Sequence, residues 1–188
     1  MSQAVGAPQR STARTSASPA PAGAPRPVAA LPAQPAPRIE GIAVKPLRVI
    51  PDERGRLFEI LRRDEPLFQK FGQVYCTTVS FGVVKGWHYH KRQVDNFVCV
   101  SGMIKLVAYD ARPRSRTRGQ VNEFFIGIHQ PLLVQIPPGV YHGFKGITAP
   151  ESIVINVPTE PYRHESPDEY RLEPHTPSIP YDWSRKDG

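Results

Sequence analysis

Cysteine is scarce in this sequence, which has only two in 188 residues, Cys76 and Cys99. Two thiols are too few for the disulfide framework of a secreted scaffold, and both lie in apolar, alternating runs, so we expect buried thiols in a reducing compartment. Long apolar runs are also missing. No stretch approaches the roughly 20 residues of a membrane span, and there is no secretory hydrophobic segment. The sequence therefore predicts a soluble, cytoplasmic protein with no membrane partner.

Acidic residues are absent from residues 1–38, which hold eight prolines, many alanines and serines, and four arginines. Such a composition cannot bury enough apolar surface to offset the entropy lost on ordering, so it predicts a disordered arm. Transit peptides share the acid-free Arg/Ser content, but dense prolines argue against the amphipathic helix that such a peptide forms. We divide the chain into this arm, 1–38, and one folded domain, 39–188.

A strong charge of one sign is missing from the folded domain. The formal charge is +7 for the whole sequence, and the four arginines of the arm account for more than half of it. A basic stripe interleaved with aromatic residues, which nucleic-acid binders carry, is absent as well. The mild positive charge therefore indicates no nucleic-acid partner. Binding of a small anionic ligand, such as a nucleotide or a phosphate, would explain it equally well.

From Ile39 onward the sequence consists of short β-rich segments bounded by Gly or Pro, such as QVYCTTVSF (73–81), NFVCVSG (96–102) and SIVINVP (152–158). One stretch, RRDEPLFQKFG (62–72), has a single turn of helical periodicity. Many short strands at regular spacing predict an all-β sandwich or barrel. The polar, Pro-rich C-terminal stretch carries aromatic residues, so we expect it to pack over the barrel, anchored by Tyr181 and Trp183.

The chemistry-bearing residues cluster in GVVKGWHYHKRQVDNF (82–97). On a strand, positions two apart share a face, so His88 and His90 can both point into a barrel. Asp95 follows near the start of the next strand, and His142 in PPGVYHG (137–143) can reach the same pocket from another strand pair. Three imidazoles and a carboxylate are a plausible ligand set for Fe(II), Mn(II), Ni(II) or Zn(II).

This spacing resembles the two motifs of the cupin superfamily. Asp95 stands where Glu is more usual, and Gly146 stands where the second motif ends in Asn. The resemblance implies a jelly-roll β-barrel with the histidines inside it.

A narrower resemblance covers roughly residues 41–183. The sequence is similar to the dTDP-4-dehydrorhamnose 3,5-epimerase family in five stretches in the same order: PDERGRLFEI (51–60), GVVKGWHYH (82–90), YDARPRSRTRG (109–119), VQIPPGVYHGF (134–144) and IPYDW (179–183). It implies an isomerase that removes a proton next to the C4 ketone of a nucleotide-diphosphate 4-keto-6-deoxy sugar, in deoxysugar or polysaccharide biosynthesis. It also implies no required cofactor, and a homodimer with strands exchanged between the barrels.

The resemblance assigns roles residue by residue. His88 falls on the catalytic histidine. Arg54 and Lys85 fall on basic positions that face the diphosphate, and Glu59 and Gln73 match polar residues that border the nucleotide. We include His142 in the substrate-binding set as well as among the metal ligands.

Four positions depart from the family. Its oxyanion-facing Lys is Asp95 here, its acid Tyr is replaced at or near Ile155, its base-orienting Asp falls at His175 or Thr176, and its Gln is His90. The loss of the Lys and the Gln, with the gain of Asp95 and His90, would convert a metal-free pocket into a metal pocket. A divalent ion bound by His88, His90, Asp95 and His142 could then polarise the ketone. The base would come from elsewhere; the candidates are Tyr75, Tyr89, Tyr141 and His175.

Two alternatives stay open. The stretches HYHKRQ (88–93) and IPPGVYH (136–142) also resemble sugar 3,4-ketoisomerases, a second cupin family that acts on 4-keto sugars. The changed catalytic positions also leave room for a metal-binding cupin of another class, either an oxygenase or a non-catalytic sugar-binding module.

Overall fold

The computed structural model describes residues 38–187, so the predicted arm, apart from Arg38, lies outside the described residues. Twelve strands and no helix are found in this range: β1 (Ala43–Pro46), β2 (Ile50–Asp52), β3 (Gly55–Leu57), β4 (Tyr75–Ser80), β5 (Val84–Tyr89), β6 (Asp95–Ser101), β7 (Met103–Asp110), β8 (Val121–Gly127), β9 (Leu132–Ile136), β10 (Val140–Gly146), β11 (Glu151–Asn156) and β12 (Tyr170–Arg171). No helix long and apolar enough to cross a membrane occurs between residues 38 and 187.

The strands form two five-stranded antiparallel sheets. The first sheet has the order β1-β9-β6-β11-β4 and the second β12-β5-β10-β7-β8, while β2 and β3 form a separate hairpin. Side chains from both sheets meet in one core, with Phe97, Val134 and Val154 from the first and Leu106 and Phe144 from the second. The predicted all-β, cupin-type jelly-roll sandwich is confirmed.

The helical turn expected in 62–72 is wrong. These residues form successive turns, in which Glu65 N donates to Arg62 O at 3.3 Å and Phe68 N donates to Glu65 O at 3.0 Å. Pro66 has no N–H to donate, and its ring excludes the preceding turn of a helix. Leu67 of this segment instead packs on the outer face of the first sheet, in the cluster of Val98 and Leu133.

The expectation of two buried thiols holds for only one of them. Cys99 is buried in the core, and burial raises the pKa of its thiol to about 11. Cys76 is exposed. It lies on the edge strand β4, where Val79 is buried and most of the other positions are exposed. Strand alternation places Cys76 on the opposite face from Val79, and nothing in the described range covers that face.

The C-terminal stretch packs on the outer face of the second sheet, as its aromatic residues predict. Trp183 and Ile179 are buried against Trp87 and Val107, and the Trp87 and Trp183 rings lie 4.9 Å apart. Both indole N–H groups donate to the carbonyl oxygen of Pro174, at 3.2 and 3.0 Å. These contacts fix the tail beside β5, the strand that carries His88.

The YDARPRSRTRG stretch folds into a loop around Asp110, which is fully buried. Its carboxylate accepts hydrogen bonds from Arg112 Nε, Ser115 Oγ and Thr117 Oγ1 at 2.9, 2.5 and 2.7 Å. Burial opposes ionisation, but these hydrogen bonds hold the pKa of Asp110 well below its usual range. The motif therefore braces the end of β7.

Candidate active site

A cavity of about 970 Å³ opens at one end of the sandwich. Its walls come from β4, β5, β6 and β10 and from the tail segment 160–174, which closes one side. Polar and ionisable side chains line much of it, including Gln73, Tyr75, Lys85, His88, His90 and His142. The cavity is large enough for a ligand the size of a nucleotide sugar.

His88 pairs with a carboxylate that the sequence did not point to. Its Nδ1 lies 2.9 Å from Glu169 Oε1, which also accepts a hydrogen bond from Arg171 Nε at 2.8 Å and forms an ion pair with Nη2 at 2.7 Å. The carboxylate fixes the ring with its proton on Nδ1, and Nε2 is left free to take a proton. Burial lowers the pKa of His88 and so favours the neutral ring, although Glu169 opposes this shift.

Strand pairing explains why Glu169 reaches His88. Arg171 of β12 lies opposite His88 of β5, so the residues just before β12 fall beside the cavity. We expected the orienting group at His175 or Thr176, but His175 is exposed and neither residue lines the cavity. The only signal available was an acidic pair, Asp168 and Glu169, within the tail, and no spacing rule selects it.

A second group of side chains lies at the inner end of the cavity. One donor atom from each of His90, Asp95 and His142 lies within 4.8 Å of the other two. Asp95 Oδ2 is 3.3 Å from His90 Nε2 and 3.3 Å from His142 Nε2. Three of the four predicted metal ligands therefore come together. His88 lies outside this group, because neither of its ring nitrogens comes within 4.8 Å of all three donor atoms.

The other oxygen of Asp95 is held by amides. Oδ1 accepts hydrogen bonds from Gln93 Nε2 at 2.8 Å and from Asn156 Nδ2 at 2.7 Å. Asn156 in turn donates to the hydroxyl of Tyr75 at 2.9 Å. Burial opposes ionisation of Asp95, but His90 and His142 outweigh it and lower the pKa to about 2. Asp95 is therefore an anion inside the barrel.

The two histidines of this group differ in the protonation state that their surroundings favour. Burial lowers the pKa of His142 to about 4, so that ring is neutral. Burial also opposes protonation of His90, but the Asp95 carboxylate and the Asp168 carbonyl raise its pKa. In the absence of any other cation, a proton on His90 is the charge that balances Asp95.

Of the four alternative bases, only Tyr75 lines the cavity. Tyr89 and Tyr141 pack on each other at 4.6 Å, and Tyr170 stacks on Tyr89 at 4.9 Å, away from the cavity lining. Burial, with the nearby Asp95 charge, raises the pKa of Tyr75 to about 12. Tyr75 is therefore a proton donor at neutral pH and a poor base.

The predicted substrate-binding residues divide into two sets. Gln73, Lys85 and His142 line the cavity, and Lys85 Nζ donates to Thr77 Oγ1 at 2.9 Å. Arg54 and Glu59 do not line it. Arg54 is exposed and pairs with Asp52 across the turn of the β2–β3 hairpin, and Glu59 pairs with Arg62 at 2.8 Å.

Comparison with known proteins gives a consistent result. A family model described as dTDP-4-dehydrorhamnose 3,5-epimerase matches residues 36–188. The chain is 39% identical over 150 residues to the "Probable low-salt glycan biosynthesis epimerase Agl13" of Haloferax volcanii, which covers 79% of this chain and 96% of that protein. It is 34% identical to the spore coat polysaccharide biosynthesis protein SpsL of Bacillus subtilis, over 78% of this chain and 97% of SpsL.

A solved structure of similar fold is the dTDP sugar isomerase of Desulfovibrio desulfuricans G20. It matches with a TM-score of 0.75 and 33% identity, over 79% of this chain and 94% of that one. The family match spans the whole described fold, including the cavity, the His88 strand and the tail that supplies Glu169. The chain therefore belongs to the dTDP-4-dehydrorhamnose 3,5-epimerase family and is a carbohydrate epimerase.

Proposed function

We propose that the protein epimerises a nucleotide-diphosphate 4-keto-6-deoxy sugar by removing a proton next to its C4 ketone and returning one to the opposite face. The single observation that carries this proposal is the His88–Glu169 pair on the cavity wall, with a 2.9 Å contact at Nδ1. A carbon acid beside a carbonyl needs a positioned base and a group that stabilises the developing oxyanion. His88 is the base, acting through Nε2, and Glu169 positions it.

The remaining groups of the cavity suit the other requirements of the reaction. Tyr75, which holds its proton at neutral pH, is the group that protonates the carbanion. Lys85 supplies positive charge on the lining, and the exposed guanidinium of Arg92 adds to it at the rim; both favour a diphosphate. Gln73 borders the same lining and is the residue we assign to the nucleotide.

The names of the relatives support a role in biosynthesis. Two of them are named for glycan or polysaccharide biosynthesis, and the family model is named for dTDP-4-dehydrorhamnose. We infer a dTDP-linked substrate and a product that feeds deoxysugar or surface-polysaccharide synthesis, with dTDP-rhamnose as the reference case. The free cysteines fit a reducing compartment, and we place the reaction in the cytoplasm.

The direct test is deuterium uptake. The purified protein is incubated in D₂O with a dTDP-4-keto-6-deoxyhexose, and with its GDP and CDP counterparts, and the sugar is read by NMR. We expect deuterium at C3, C5 or both, with inversion at the labelled carbon. A product whose carbonyl has moved to C3 would instead identify a 3,4-ketoisomerase. Absence of uptake with all three sugars would overturn the proposal.

The positions of Arg54 and Glu59 support a homodimer. Both residues lie away from the cavity of their own chain, and every residue of the β2–β3 hairpin is exposed, with Ile50 48% and Leu57 59% accessible. Edge strands and exposed apolar residues favour pairing with a second copy. In the dimer we propose, the hairpin of one chain brings Arg54 and Glu59 to the cavity of its partner.

Complementation between inactive variants tests this arrangement. Arg54→Ala and His88→Ala chains are each expected to lose deuterium exchange as homodimers. Co-expressed chains form mixed dimers with one intact site, so about one quarter of the wild-type activity should return. Light scattering should give twice the chain mass. A monomeric mass, or no activity in the mixture, would contradict the exchange of hairpins.

A further inference from the structure

We propose that His90, Asp95 and His142 bind one divalent transition-metal ion at the inner end of the cavity, and that His88 is not among its ligands. Binding of the ion stands on the geometry of these three residues alone. Its role in the reaction, which is to polarise the C4 ketone, rests on the proposed function. Binding of the ion and its role in the reaction can therefore be tested by separate experiments.

The spacing of the donor atoms fits such an ion. In a tetrahedral site with metal–ligand bonds of about 2.0–2.1 Å, neighbouring donor atoms lie roughly 3.3–3.5 Å apart. Asp95 Oδ2 is 3.3 Å from both histidine Nε2 atoms. Two imidazoles and one carboxylate suit zinc, iron, nickel or manganese, whereas Mg²⁺ and Ca²⁺ prefer oxygen ligands.

Hydrogen bonds at the far side of each ring set the tautomer that a metal needs. His90 Nδ1 contacts the carbonyl oxygen of Asp168, and His142 Nδ1 lies 3.2 Å from the carbonyl oxygen of Val140. A carbonyl only accepts, so each Nδ1 donates, and in the neutral rings the lone pair is on Nε2. Both lone pairs are then on the nitrogen that lies nearest to Asp95.

Asp95 Oδ2 lacks the partner that its burial demands. The residue is 1% exposed, and this oxygen accepts no hydrogen bond within the described part of the chain. The 3.3 Å contacts with the two rings therefore lack the geometry of N–H···O hydrogen bonds. A buried carboxylate oxygen without a hydrogen-bond partner is costly, and a metal ion between the three atoms removes that cost.

The surrounding residues hold these ligands in place. Gln93 and Asn156 occupy Oδ1 of Asp95 and leave Oδ2 for the ion. The Asp168 side chain accepts the backbone N–H groups of Lys91 and Arg92 at 2.9 and 2.8 Å, which fixes the turn after His90. Support of this kind around the ligands is what tunes metal affinity in proteins.

Three protein ligands leave a coordination position open. His90 and His142 both line the cavity, so that position faces the substrate space. The His88 ring lies 6.3 Å from the His142 ring, on the same wall. An ion held by these residues would polarise a ketone oxygen, and His88, which lines the same cavity, would be the base for the neighbouring carbon. The proton would pass to His88 Nε2, and the electrons of the C–H bond would move onto the ketone oxygen.

Metal titration tests the binding site directly. Chelator-treated full-length protein is titrated with Co(II) or Zn(II), and binding is followed by Co(II) absorption and by calorimetry. We expect one ion per chain. Asp95→Asn and His90→Gln should each weaken binding by at least about 100-fold, more than changes in supporting residues do. His88→Gln is the matched control and should bind the ion with wild-type affinity.

The outcomes separate the two proposals. Wild-type protein that takes up no ion, or an Asp95→Asn variant that folds by circular dichroism and binds normally, would overturn the metal site. Loss of binding in His88→Gln would restore the four-ligand set and also overturn it. Metal-free protein that exchanges deuterium at the wild-type rate would leave the epimerase intact and remove the ion from its reaction. A bound ion without any exchange would remove the epimerase and leave the site.

Discussion

Replacement of His88 by alanine is expected to reduce deuterium uptake at the carbon next to the ketone by about 10³-fold, within the range that a positioned base contributes. The ring lines the cavity, and Glu169 holds its Nδ1 at 2.9 Å. No other described histidine has this arrangement. The rate of exchange, measured by NMR at saturating substrate, checks the prediction.

Glu169 provides the second half of this test. Glu169→Gln should lower kcat by roughly 10²-fold with little change in KM, because the amide no longer fixes the tautomer of His88. Glu169→Asp, which keeps the charge, should recover part of the loss. A residue needed only for folding would not show this recovery.

His175→Ala is the control for both variants. His175 is a histidine of the same tail, but it is exposed and does not line the cavity. Exchange in this variant should equal that of the wild type. Normal exchange in His88→Ala, or its loss in His175→Ala, would show that the base has been assigned to the wrong residue.

Trp183→Ala should lower the free energy of unfolding by about 3–5 kcal/mol, the usual cost of removing a large buried aromatic ring. Trp183 is 1% exposed and packs against Trp87 and Tyr181. Its indole N–H also donates to Pro174 O at 3.0 Å. Urea denaturation followed by tryptophan fluorescence and circular dichroism measures the change.

Phe125→Ala is the matched control, because Phe125 is an aromatic residue of the same sheet that is 47% exposed. It should cost less than about 1 kcal/mol. Equal losses in the two variants would mean that the tail is not what stabilises this sheet. If only Trp183→Ala loses stability, deuterium exchange should also fall in that variant, because the tail anchored by Trp183 carries Glu169.

The fold was predictable because it depends on patterns local to the sequence. Alternation in stretches such as NFVCVSG indicates strands, and His88 and His90 share a strand face by simple periodicity. The motif order from PDERGRLFEI to IPYDW then indicated the family, which the family match confirms. The local errors, a helical turn at 62–72 and a buried Cys76, arose where Pro66 and an edge strand overrode the local pattern.

The site was only partly predictable, because its contacts join residues far apart in the chain. His88 and Glu169 are 81 positions apart and meet only because β12 pairs with β5. The sequence placed the orienting group at His175 or Thr176, a few residues too late, since spacing cannot tell where a proline-rich tail turns back. It also put His88 among the metal ligands, whereas the structure places only His90, Asp95 and His142 close enough together to share an ion.

By itself the sequence determined the all-β class, the family and the presence of three imidazoles and a carboxylate inside the barrel. Only the tertiary structure decided which imidazole pairs with Glu169 and which two face Asp95. It also decided that Arg54 and Glu59 lie outside the cavity of their own chain. The physical reason is that periodicity assigns a side chain to a face, whereas its partner depends on sheet pairing between distant strands.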